Sequence, residues 1–148
     1  MREILNEILQ LQTKLYQEFP PRVLPQASEA QIEALEKKLG FKLPPSYHEF
    51  LKIYNGWKNF GVLNLFGTED FFSDWTAKRI ASFKDVDAGA PFEKGAIPFA
   101  MGDDANHFWA FDPKTKSPSG ELDIVDWDYG HEESRLHSLT EFFEKELI

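Results

Sequence analysis

The sequence predicts an α+β fold: a mainly antiparallel sheet with helices packed around it, in a single domain covering residues 1–148. Three observations lead there. The amino-terminal third carries apolar residues at helical spacing, punctuated by proline and glycine. The second half carries short aromatic-rich runs separated by clusters of turn formers, as successive strands of an antiparallel sheet are. The last residues return to a capped helical pattern, which supplies a further helix to pack on that sheet.

Residues 2–19 place Ile4, Leu5, Ile8, Leu9, Leu11, Leu15, Tyr16 and Phe19 on one wide helical stripe, and Pro20-Pro21 ends that helix. An extended connection follows to Ala27. Ser28, with Gln31 three positions on, is a capping-box pattern: the serine oxygen accepts an orphan amide while the glutamine reaches back to Ser28's own. Ile32, Leu35 and Leu39 line one face of the second helix, and Gly40 supplies the left-handed residue that closes it. Phe41 and Leu43 bridge to Pro44, whose fixed φ suits the first turn of a third helix. That helix presents Tyr47, Phe50, Leu51 and Tyr54 on one side, and Asn55-Gly56 ends it.

After Trp57 the periodicity changes. Residues 60–66 are apolar and bounded by Gly61 and Gly67, as a strand is. Thr68 is placed to cap a short helix carrying Phe71, Phe72 and Trp75 up to Ile80, and residues 82–95, aperiodic and glycine-rich, read as a surface loop. Three strands follow, at 96–100, 107–111 and 122–127, joined through 102–106 and 112–120 as two hairpins. His107, Trp109 and Phe111 share one face of the middle strand, while Phe108, Ala110 and Asp112 share the other. Aromatics on both faces mean that this strand is covered on each side. Ser138 and Glu141 open the last helix, with Leu139, Phe142, Phe143 and Leu147 facing inward. Tyr16, Tyr47, Tyr54, Trp75 and Trp109 are read as core residues.

The run Leu39-Gly40-Phe41-Lys42-Leu43-Pro44-Pro45-Ser46-Tyr47, followed by Phe50-Leu51 and Tyr54-Asn55-Gly56, resembles the opening signature of the SUKH superfamily. That superfamily includes the yeast Smi/Knr cell-wall regulators and many bacterial immunity proteins. A looser likeness continues through Ile97-Pro98, an acidic glycine-containing loop, an aromatic strand ending in Asp112, and the closing helix with Ser138 and Phe142-Phe143. It covers residues 28–147 in the right order. Trp57 stands where family members often carry a second glycine, and Asn106-His107 where they often carry Gly-Asp. The resemblance implies a SUKH-like single domain that works by binding a protein rather than by catalysis.

Composition narrows the partner. A net charge of −9 repels phosphate backbones, so nucleic acid is excluded as a ligand and a charge-steered partner is expected to be basic. With no cysteine there is no disulfide framework, thiolate metal site or cysteine nucleophile, which fits a reducing compartment. Apolar runs are short and interrupted by charge, and no cleavage-like site follows the first helix, so the expectation is a cytoplasmic protein without membrane contact.

Asp103, Asp104, His107, Asp126, Asp128, His131 and His137 are of types that bind metals or move protons. No His-Glu-x-x-His, EF-hand, P-loop, Rossmann or Gly-x-Ser-x-Gly spacing positions them, so neither an enzyme nor a cofactor or metal site is expected. Acids interleaved with aromatics are the more informative pattern, because carboxylates meet the Lys and Arg of a partner while an aromatic anchors it. Glu69, Asp70, Asp103, Asp104, Asp126, Asp128, Glu132 and Glu133 are the candidate partner-facing acids, with Trp57 and Trp127 as candidate anchors. Together with the resemblance they imply an immunity protein that binds and occludes a cognate, basic toxin, a nuclease being a natural target. A regulatory or scaffold domain of the Smi/Knr type is the alternative. The oligomeric state is left open.

Overall fold

A computed structural model describes residues 1–84, 90–102 and 107–147. Helix α1 (Arg2–Leu15) leads through a short strand β1 (Arg22–Val23) to the hairpin of α2 (Glu29–Leu39) and α3 (Pro45–Ile53). Strands β2 (Trp57–Phe60) and β3 (Leu63–Leu65) follow, then a 3-10 turn over Thr68–Phe72, α4 (Asp74–Lys84) and the single-turn α5 (Ala90–Glu93). The chain closes with β4 (Ile97–Gly102), β5 (His107–Asp112), β6 (Asp123–Asp128), β7 (His131–Leu136) and α6 (Leu139–Lys145). Every strand pairs antiparallel with its sequence neighbour, so the sheet is a meander in the order β1 to β7.

The capping signals act as their chemistry predicts. Ser28 Oγ accepts from the Gln31 amide at 3.1 Å while Gln31 Oε1 accepts from the Ser28 amide at 2.9 Å, and Gly40 takes φ +81°. Ser138 Oγ likewise accepts from the Glu141 amide, but the Glu141 carboxylate reaches the His137 amide instead of the cap's own. Helix α3 lacks a side-chain cap of its own, and Glu121, from the β5–β6 connection, accepts from the Ser46 amide at 2.9 Å.

The sheet is covered on both faces. One face carries Trp57, Phe60, Leu65, Phe99, Phe111, Ile124 and Leu136 under α1, α2, α3 and α6. Its centre is Tyr47, ringed by Phe50, Phe71, Phe99 and Phe111, with its hydroxyl donating to the Phe66 carbonyl at 2.7 Å. Burial holds that hydroxyl far above the ordinary tyrosine pKa. The other face packs Phe66, Met101, Phe108 and Ala110 under Phe83 of α4 and Phe92 of α5. The alternation read from strand 107–111 is therefore correct.

The Tyr-Asn-Gly signature is a buried clasp. Asn55 Oδ1 accepts from the Thr68 amide at 2.6 Å and its Nδ2 donates to Thr68 Oγ1 at 3.0 Å. Gly67 lies so close that a Cβ there would overlap the Asn55 carbonyl oxygen, and Gly56 takes φ +109°. This explains why Thr68 caps no helix: its amide and hydroxyl are committed to Asn55. Ser73 caps α4 instead, its Oγ accepting from the Thr76 amide at 3.2 Å, so the helix expected from Thr68 to Ile80 divides in two.

Other expectations need correction. Helix α1 ends at Leu15 rather than residue 19, because the core beneath it ends at Gln12. The strand expected over 60–66 is divided between the end of β2, which begins at Trp57, and β3, and β7 forms where periodicity showed none, since an edge strand needs no alternating apolar face. Residues 82–84 continue α4, and 90–93 form a helical turn inside the expected loop; 85–89 lie outside the described residues. Tyr16 is 44% exposed and Trp75 47%, so neither is a core residue.

Candidate partner-binding surface

An antiparallel meander returns alternate turns to the same rim of the sheet. Leu63 pairs with Gly102 and His107 with Asp128, so the β2–β3 turn, the ends of β4 and β5, and the β6–β7 turn share one rim. Of the ten predicted site residues, this topology gathers Asp126, Trp127, Asp128, Glu132 and Glu133 on the β6–β7 hairpin at one end of that rim. The turn is tight: Tyr129 takes φ +51° and Gly130 φ +83°, the two left-handed residues of a type I′ hairpin. Tyr129 is 58% exposed at its tip. A register shift between Asp126 and Trp127 leaves Glu133 without an opposite residue, because Asp126 pairs with Ser134 and Trp127 with Glu132.

These acids are not equivalent. Asp126 is hydrogen-bonded to His107 Nε2 on the face of the sheet that carries Trp109 and Phe111. That bond, opposed by partial burial and assisted by the charges of Asp126, Asp128 and Glu133, holds the His107 proton above the ordinary imidazole pKa of 6.5. Glu132 is paired with Arg135 through two contacts of 2.7 and 3.1 Å, and the same guanidinium reaches Asp112 and Asp123 at 3.0 Å each. Arg135 is therefore held firmly protonated, Glu132 being the largest cause. Asp128 and Glu133 have no hydrogen bond or ion pair to any described residue. They are the free carboxylates of the hairpin.

The remaining predicted residues scatter. Glu69 is exposed beside α2 and accepts from Gln31 at 3.4 Å. Asp70 is committed internally, accepting from the Gly67 amide at 2.8 Å and pairing with Lys58 at 2.9 Å. Asp103 and Asp104 lie outside the described residues. Trp57 cannot anchor a partner: it is fully buried and its indole donates to Gln12 Oε1 at 3.1 Å. Trp127 packs with part of its ring against the second core cluster, so Tyr129 is the better exposed aromatic of the hairpin.

The histidine and aspartate set does not converge. His107 meets Asp126, while His137 meets Asp123 at 2.9 Å. Among the described residues, no group of three His, Asp or Glu side chains is placed to hold a metal. No helix among them is long and apolar enough to cross a membrane.

Sequence reasoning missed a second feature of the rim. Periodicity places Leu15, Tyr16 and Phe19 on the helical stripe and Val62 in a strand, yet all four are exposed around a hollow of about 710 Å³ beside the β2–β3 turn. The signal was present in the width of the helix stripe, which has more apolar positions than one packed face can use.

Residues 26–145 match the SMI1 / KNR4 family (SUKH-1). No curated protein matches the chain.

Proposed function

The chain belongs to the SMI1 / KNR4 family (SUKH-1), and from that premise we propose that it is an immunity protein, one that binds a cognate toxin and occludes it. The observation that carries the reading is the β6–β7 hairpin, a projecting turn with two unpaired carboxylates, Asp128 and Glu133, beside an exposed Tyr129. An acidic hairpin with a rigid aromatic at its tip suits a cationic surface, such as the active site of a nuclease, and occlusion needs no catalytic group. The long-range field of a chain with net charge −9 adds fast association.

The test is co-expression with the product of the neighbouring reading frame. Cell survival is scored first, then complex formation between about 0.05 and 0.5 M salt. Rescue together with a salt-weakened complex is expected. Asp128→Lys with Glu133→Lys should weaken the low-salt complex at least tenfold, about 1.4 kcal/mol, in a chain that remains folded by circular dichroism, since neither carboxylate is hydrogen-bonded or ion-paired to a described residue. Rescue by a complex indifferent to both substitutions would remove the hairpin from the proposal. A harmless neighbour with no complex would favour the regulatory or scaffold reading, which the family accommodates equally.

A further inference from the structure

The apolar end of the rim is uncovered. Leu15 is 63% exposed, Phe19 73% and Val62 82%, with Tyr16 and Trp75 near half. Phe19 stands on the border between the hollow it shares with Leu15, Tyr16 and Val62 and a second one, of about 840 Å³, walled by Pro21 and Trp75. At roughly 150–250 Å² per large side chain, those fractions leave on the order of 500–600 Å² of mostly apolar surface in water. An isolated apolar side chain needs no explanation, whereas a contiguous patch of this size is at the upper end of what monomers expose, and such patches are often functional.

The charges narrow the choice of occupant. Lys58 and Asp70, in the wall, neutralise each other at 2.9 Å. Glu18 and Arg22 line the same hollow, exposed, with no hydrogen bond or ion pair to any described residue. The lining is therefore balanced, on a chain whose net charge is −9. A basic protein gains no attraction here. Two copies of this chain repel one another over most approaches, and a balanced apolar patch is where that repulsion is least.

We propose that this surface is covered by the same surface of a second copy, in a two-fold symmetric dimer. In such a contact each residue pairing occurs twice, and the dimer proposed sets Glu18 of each copy against the other's Arg22 and each Phe19 in the other's hollow. The apolar area at hand supplies most of the roughly 800 Å² per partner that a standard interface covers, the polar rim supplying the rest. The acidic hairpin lies four strand spacings away along the sheet, roughly 20 Å, and stays open in both copies. The inference does not depend on what the hairpin binds.

Sedimentation velocity over roughly 1–300 μM tests it on the full chain. The wild type should pass from monomer to dimer, and added salt should strengthen the association by screening the net charge, whereas it weakens a charge-steered complex. Phe19→Glu and Val62→Glu should each weaken dimerisation at least tenfold with unchanged melting, because both side chains already face water. Glu18→Arg alone should weaken it, and Glu18→Arg combined with Arg22→Glu should restore it. A wild type that stays monomeric throughout, or a dimer indifferent to Phe19→Glu and Val62→Glu, overturns the proposal. So does a monomer that needs Phe19 to bind another protein, which would assign the surface to that partner.

Discussion

Replacing Asn55 by alanine should cost the protein roughly 3–4 kcal/mol. The side chain is buried and gives both its groups to one residue, accepting from the Thr68 amide at 2.6 Å and donating to Thr68 Oγ1 at 3.0 Å. Losing two such bonds costs about 1 kcal/mol each net, and stranding the Thr68 amide away from water adds about 1–2 kcal/mol. No charge is involved, so the loss should be independent of salt. For a chain of this length, 3 kcal/mol lowers the melting temperature by about 6–12 °C. Urea unfolding at pH 7 measures it, and the m-value should stay constant if only the native state is affected. Thr68→Val breaks the side-chain half of the clasp alone, so the double variant should be less destabilised than the sum of the singles by about 0.5–1.5 kcal/mol. A loss under about 0.5 kcal/mol for Asn55→Ala, or strict additivity, would show that water or local rearrangement replaces the clasp.

Two further outcomes follow from the same geometry. Gly67→Ala should be more damaging than an ordinary glycine substitution, because the new methyl overlaps the backbone carbonyl of Asn55 rather than a movable side chain; thermal unfolding should show a loss of several kcal/mol, and a near-neutral variant would mean that the 55–56 turn yields easily. His107 should titrate above 6.5 by NMR, and Asp126→Asn should bring its midpoint down. Because the folded-state pKa is raised, the contribution of His107 to stability is fully present below 6.5 and disappears as pH rises through the folded value. The stability difference between wild type and His107→Gln should therefore shrink towards pH 8, and a difference that grows instead would reverse the assignment.

Much of the fold was legible in the sequence because its signals are local. Ser28 with Gln31 and Gly40 specify their helix ends through groups within one turn of each other, and the alternation of His107 to Asp112 follows from strand geometry alone. Strand β7 was hidden for the complementary reason: His131-Glu132-Glu133-Ser134-Arg135 packs almost nothing, and it is a strand because β6 offers it a ladder. The type I′ pair Tyr129-Gly130 was the available local clue.

For the candidate surface, residue types alone established an acidic chain whose carboxylates alternate with aromatics. Which carboxylates are free was decided by long-range pairing. Asp70 was withdrawn by Lys58 and, on the β6–β7 hairpin, Asp126 by His107 and Glu132 by Arg135, leaving Asp128 and Glu133 as the carboxylates of that hairpin without a partner among the described residues. Trp57 was withdrawn by burial and Gln12. Burial also divided the wide stripe of α1, sending Leu5 and Ile8 into the core and leaving Leu15 and, beyond the helix, Phe19 in water. Hydrophobicity and charge are properties of a residue and can be read one position at a time. Exposure and pairing belong to the neighbours that the meander brings together, so only the folded chain determines them.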